Sequence, residues 1–167
     1  MTIRLTTLST LLLTVMAFLT GTVAASARQN VPPAYDIEIA GQADGGRYLV
    51  RVTTVLDKNQ KNDAREWLRR LAVDGVMFHG LAPAGGYSAQ APLIADPLVR
   101  SQKAEFFTAF NNEKLYNNYA DLENSSIIMT KLPKKKWEVS ALITVDKENL
   151  LHFLNEHGIV EGFGNLW

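Results

Sequence analysis

Trp137, Val139, Ala141, Ile143 and Val145 occupy every second position of one stretch, and Glu138, Ser140 and Thr144 sit between them. That period of two is the pattern of a strand with one buried face. Arg47 to Leu56 repeats it, with Tyr48, Val50 and Val52 on one side and Arg51 and Thr53 on the other. Asp36-Ile37-Glu38-Ile39-Ala40 alternates more briefly. The Gly45-Gly46 pair after it predicts a hairpin turn into the second strand. Asn124 to Leu132, with Ile127-Ile128-Met129, reads as a further strand. Pro133-Lys134-Lys135-Lys136 then turns the chain into the stretch described first.

Elsewhere the apolar spacing is helical. From Ala64 to Phe78, the residues Ala64, Trp67, Leu68, Leu71, Ala72 and Gly75 fall on one side. Small side chains there let a helix lie close on a sheet. Asp96-Pro97 predicts a helix start. Leu98, Phe106, Phe107 and Phe110 follow, Asn111-Asn112 interrupts, and a second piece carries Leu115, Tyr116 and Tyr119. Asp146 caps a last helix, Lys147 to His157, whose apolar side is Leu150, Leu151, Phe153 and Leu154, and Gly158 ends it. These elements predict one α+β domain: a two-layer sandwich with an antiparallel sheet of about four strands and three helices mainly on one face.

The first residues follow another pattern. Met1-Thr2-Ile3-Arg4 is a short basic start, and an uncharged apolar stretch runs from Leu8 to about Val23. Gly21 precedes Val23-Ala24-Ala25-Ser26-Ala27, which offers small-residue cuts after Ala25 or Ala27. This is the layout of a cleavable secretory signal peptide. The stretch is shorter than the roughly 20 residues of a membrane span, which is the competing reading. The expected organisation is therefore a signal peptide over 1–27, a loose lead-in over 28–35 containing Pro32-Pro33, and one domain over 36–167. The membrane is then met only transiently, through the signal peptide, and the product is periplasmic or secreted.

Removing the first 27 of 167 residues takes away Arg4 and leaves a chain with 16 Lys plus Arg against 17 Asp plus Glu. Near-neutrality gives no field for nucleic acid, which is not expected as a partner. The sequence has no cysteine. That closes disulfides, thiolate zinc, a cysteine nucleophile and a lipoprotein anchor, and leaves packing alone to hold the exported domain.

Candidate chemistry is sparse. His152 and His157 are poorly spaced for a shared metal, and His79 reads as a capping or surface histidine. Ser88 lacks the glycine two residues on that a nucleophile turn needs. Asp121 and Glu123 read as a solvated turn, and Gly85-Gly86 does not match a phosphate loop. Catalytic residues, metals and cofactors are accordingly expected to be none. The aromatics Phe106, Phe107, Phe110, Tyr116 and Tyr119 read as core. Tyr87, beside Gly85 and Gly86 in the long 80–97 loop, is the leading contact candidate. Lys134, Lys135 and Lys136 form a basic tip. It reads as a soluble turn that discourages edge pairing, with contact to an anionic surface as its alternative.

Gly-Arg-Tyr-Leu-Val-Arg-Val (46–52), Ala-Val-Asp-Gly-Val-Met-Phe-His-Gly (72–80), Ala-Pro-Leu (91–93), Ala-Glu-Phe-Phe (104–107), Tyr-Asn-Asn-Tyr (116–119) and the block from Trp137 to Leu150 followed by His-Gly-Ile-Val (157–160) occur in this order. The string resembles a family of uncharacterised exported bacterial cell-envelope proteins, over about 120 residues. The resemblance implies a fold and an envelope location, and no activity. A weaker likeness, by analogy only, links the element order to small α+β domains of envelope lipoproteins and flagellar accessory proteins. The leading expectation is a non-catalytic interaction or accessory domain that meets another envelope protein. The alternatives are a periplasmic small-ligand binder with a pocket under the 80–97 loop, and an enzyme with an unrecognised site.

Overall fold

The computed structural model describes residues 32–43 and 45–160. The expected signal peptide and the start of the lead-in lie outside the described residues, and so do 161–167. A compact unit begins at Pro32. Its core side chains run from Ile37 to Ile159.

Two strands carry the alternation and pair along their full lengths. β1 (Tyr35–Ala43) and β2 (Arg47–Asp57) form an antiparallel hairpin, with a register shift between Ile39 and Gly41. β2 then pairs antiparallel with β5 (Lys136–Asp146), from Arg47 opposite Asp146 to Asp57 opposite Lys136. β3 (Ala120–Leu122) and β4 (Ile128–Lys131) share the other side of β5, so the sheet has five strands. β3 was not expected. Three residues are too few to show a period, and Ala120 and Leu122 are buried where β3 lies beside β5 and under α1.

One face of the sheet is dry. Val50, Val52, Thr54 and Leu56 of β2 and Val139, Ala141, Ile143 and Val145 of β5 are buried on it. α1 (Ala64–Phe78) covers these residues. It lies close enough that a Cβ on Gly75 would fall 2.6 Å from Cδ1 of Ile37. α2 (Val99–Gln102) and α3 (Ala104–Asn112) divide the expected second helix at Lys103. Leu115–Asn118 is a 3₁₀ turn. α4 (Lys147–Glu156) starts as predicted, with Asn149 N–H donating to Oδ1 of Asp146 at 3.1 Å. Phe106, Phe110, Tyr119 and Phe153 stack between α3, the 3₁₀ turn and α4. The fold is thus the α+β two-layer sandwich read from the pattern. Among the described residues, no helix is long and apolar enough to cross a membrane.

The 80–97 loop closes the β1 edge. Ile39 N–H donates to the Ala82 carbonyl at 3.0 Å, and Ala82 N–H to the Ile37 carbonyl at 3.3 Å. Leu81 and Gln90 exchange two backbone hydrogen bonds, and Leu93 and Ile94 donate to the last turn of α1. A length that suggests a working loop here serves to cover an unpaired strand edge. Gly80 makes the arrangement possible. Its φ is +74°, and a Cβ there would collide with the Gln90 carbonyl oxygen. We expect Gly80→Ala to cost about 1–3 kcal/mol, read as a lowered urea midpoint; an unchanged midpoint would refute this account of the loop.

Candidate contact surface

The contact candidates in the loop have structural work. Ala84-Gly85-Gly86-Tyr87 is a tight turn closed by Tyr87 N–H on the Ala84 carbonyl at 2.9 Å. Gly85 and Gly86 supply positive φ angles of 57° and 86°. Tyr87 is 41% exposed, with its hydroxyl 4.0 Å from where a Cβ of Gly41 would sit. The aromatics of 106–119 are core residues, buried (Phe107, Phe110, Tyr116) or packed against the core (Phe106, Tyr119).

Two clefts carry polar side chains, and neither is lined by residues of the 80–97 loop. The first centres on Asp74, in the last turns of α1 and 9% exposed. Tyr35 Oη donates to its Oδ2 at 2.8 Å, and Arg100 Nη2 donates to its Oδ1 at 2.6 Å. Tyr35 has one proton and gives it to the carboxylate. Tyr35 Oη also lies 2.7 Å from Nδ1 of His79. Burial, and then the Asp74 carboxylate, push the Tyr35 phenol far above its ordinary range. A phenol held that way releases no proton near neutrality, and Arg100 is spent on Asp74. The cluster fastens the start of β1 and α2 to the end of α1. Nothing in the sequence marked it, since the partners lie 39 and 26 positions from Asp74.

The second cleft is lined by Arg47, Arg69, Asn117, Tyr119, Asp121 and Asp146, among others. Its cations and carboxylates balance. Arg69 Nε is buried there without a hydrogen-bond partner among the described residues. Nearby, Glu66 accepts from Lys114 Nζ at 2.9 Å and from Tyr116 Oη at 3.1 Å. Burial and the Glu66 carboxylate raise Tyr116 to about 12. Among the described residues, no group of three His, Cys, Asp or Glu could hold a metal ion.

The third feature is one end of the sheet. The β2–β5 register sets Asp57 beside Lys136, and Lys61 Nζ lies 3.7 Å over the Trp137 ring. Lys58 and Lys61 therefore join Lys131, Lys134, Lys135 and Lys136, six of the chain's nine lysines, at the same end. Three carboxylates, Asp57, Asp63 and Glu138, accompany them. β4 leads into this end with all four residues exposed, Ile128 at 65%.

The turn itself is unusual. Lys134 and Lys135 have φ angles of 59° and 61°, in the left-handed region. L side chains pay roughly 1–2 kcal/mol per residue there. Among the described residues, the two other turns with successive positive φ angles are Gly45-Gly46 and Gly85-Gly86. Glycine is used where the backbone alone must turn. Here lysine holds the same conformation at a cost.

Two outcomes follow from this geometry. Replacing the pair by Lys134→Asn with Lys135→Gly should raise stability by about 1 kcal/mol and Tm by roughly 3–5 °C; an unchanged or lower Tm would show that the lysines are not strained. Alkali should act through Tyr35 and Tyr116. The unfolded phenols ionise near 10.0 while the folded ones stay protonated, Tyr116 to about 12. Stability is then intact below pH 10 and falls as pH rises through that window. Urea melts across it should show the fall, and Tyr116→Phe should lessen it. A pH-independent midpoint would contradict both assignments.

No family model, curated protein or solved structure matches the chain.

Proposed function

We propose that this chain is an exported, non-catalytic contact domain of the bacterial cell envelope, released from its leader after Ala25 or Ala27. It works in the periplasm or outside the cell. Its contact is made at the lysine-rich end of the sheet, along β4 and the turn from β4 to β5. The observation that carries this reading is exposure. β2 and β5 bury every second side chain, whereas Ile128, Met129, Thr130 and Lys131 are all exposed. β4 pairs with β5 on one side, and no other strand pairs with it among the described residues. A short edge with an apolar start and a basic end is a surface suited to a partner that is itself part of the envelope.

The chemistry of the interior supports a non-catalytic role. Asp74, the one carboxylate buried among the described residues, accepts one hydrogen bond on each oxygen, from Tyr35 and Arg100. The basic start, apolar stretch and small-residue cut sites of the first 27 residues support an envelope location.

The test is a photo-reactive residue at Ile128 in the protein expressed in a bacterial host, compared with the same residue at Glu38 on the far edge strand. We expect light-dependent adducts with an envelope component at position 128 and none at 38. No adduct at 128, or equal adducts at both, would sink the reading.

A further inference from the structure

We propose that the lysine-rich end of the sheet docks on an anionic phospholipid bilayer. This rests on the contact reading above and names the partner of that surface. It goes beyond the sequence-based expectation that the chain meets the membrane only through its signal peptide.

Charge distribution is the first support. The whole chain is neutral by formal count. Its lysines are nevertheless gathered at one end of the sheet, four of them within 131–136. Lys114 is held by Glu66 and Lys147 by Tyr48. Among the described residues, no hydrogen bond or ion pair holds the side chain of Lys131, Lys134, Lys135 or Lys136. Four uncommitted ammonium groups on one hairpin tip are what an anionic surface attracts.

The turn conformation is the second support, and it is independent of the charge count. At both other positions among the described residues where two successive residues have positive φ, the chain uses glycine. Lys134 and Lys135 accept the left-handed conformation instead. The side chains, rather than the turn, are what this position retains.

The residue types then choose among anionic partners. The tip carries lysine throughout and no arginine. Arginine suits a single phosphate gripped by two parallel hydrogen bonds; lysine is a hydrated point charge on a flexible stem. Lysines alone fit the diffuse field of many headgroups. Ile128, Met129 and the half-buried Leu132 and Trp137 accompany them. Apolar groups beside cations can enter the headgroup layer while the ammonium groups stay wet. The exposed turn from Pro133 to Lys135 lies beyond the last β2–β5 pair, Asp57 with Lys136.

The experiment is sedimentation of the protein beginning at Arg28, which contains the whole core, with two kinds of vesicle. One is phosphatidylcholine alone and the other phosphatidylcholine mixed with phosphatidylglycerol. We expect binding to the mixed vesicles only, weakened by added salt. Lys134→Asn with Lys135→Gly should lower the partition coefficient by roughly tenfold or more, while the protein stays folded by circular dichroism. Lys103→Asn removes one charge outside this group, at the junction of α2 and α3, and should leave binding unchanged. Equal binding to both vesicle types, no binding to the mixed ones, or equal losses from both variants would overturn the lipid proposal. Protein adducts at Ile128 together with no vesicle binding would remove the lipid and leave the contact reading standing. Absence of adducts together with anionic vesicle binding unaffected by the Lys134/Lys135 change would remove both.

Discussion

Val50, Val52, Thr54 and Leu56 lie opposite Ile143, Ala141, Val139 and Trp137 along the β2–β5 ladder. A slip of one residue would send the buried members of both strands to the wet face. This pairing joins residues 79 to 99 positions apart, and the rest of the molecule hangs on it. It gives α1 a continuous apolar floor. It sets Arg47 beside Asp146 at one end and Asp57 beside Lys136 at the other. The two ends of the sheet therefore differ chemically because of where β2 and β5 begin and stop. The polar cleft forms at the first and the lysines gather at the second.

The helices occupy one face, so the other must tolerate water. It does so with short cross-strand pairs: Arg51 with Glu38 at 3.4 Å and Thr53 with Ser140 at 3.0 Å. Both are exposed or half-buried and hold little energy. Their use is to keep that face polar. The edges are handled differently. The β1 edge is closed by the 80–97 loop through backbone hydrogen bonds, and β4 is left open. A protein that covers one edge and leaves the other exposed, with Ile128 outward, has treated them unequally.

The sequence pattern made the long strands legible because alternation is a local signal. The same holds for α1, whose close approach to β1 was written in Gly75, and for α4, whose cap is Asp146. What escaped was non-local or conformational. β3 borrows its burial from β5 and α1. The Tyr35–Asp74–Arg100 tie joins three separate stretches, none of which carries a motif. Tyr87 looked unattached because its neighbour Gly41 lies 46 positions earlier, across the loop's docking on β1. Lys134-Lys135-Lys136 was readable as a basic turn, but lysine has no preference for the left-handed region. Its conformation therefore could not be inferred, and with it went the contrast with the two Gly-Gly turns that gives the tip its meaning.

Strain and charge at that tip have one thermodynamic consequence in common. Crowded ammonium groups repel one another, and two left-handed lysines add backbone cost. Both terms act against the folded state in free solution. An anionic surface lowers the first by supplying counter-charge to the folded hairpin, where the lysines are held together. The unfolded chain disperses them and gains less. Binding and folding are then linked, and the surface stabilises the fold by the difference in its affinity for the two states. Exchanging the lysines for Asn-Gly removes the strain and much of the coupling together. The free domain becomes more stable while its stability responds less to lipid. A tip retained only to discourage edge pairing would show the first change without the second, because it has no lipid response to lose.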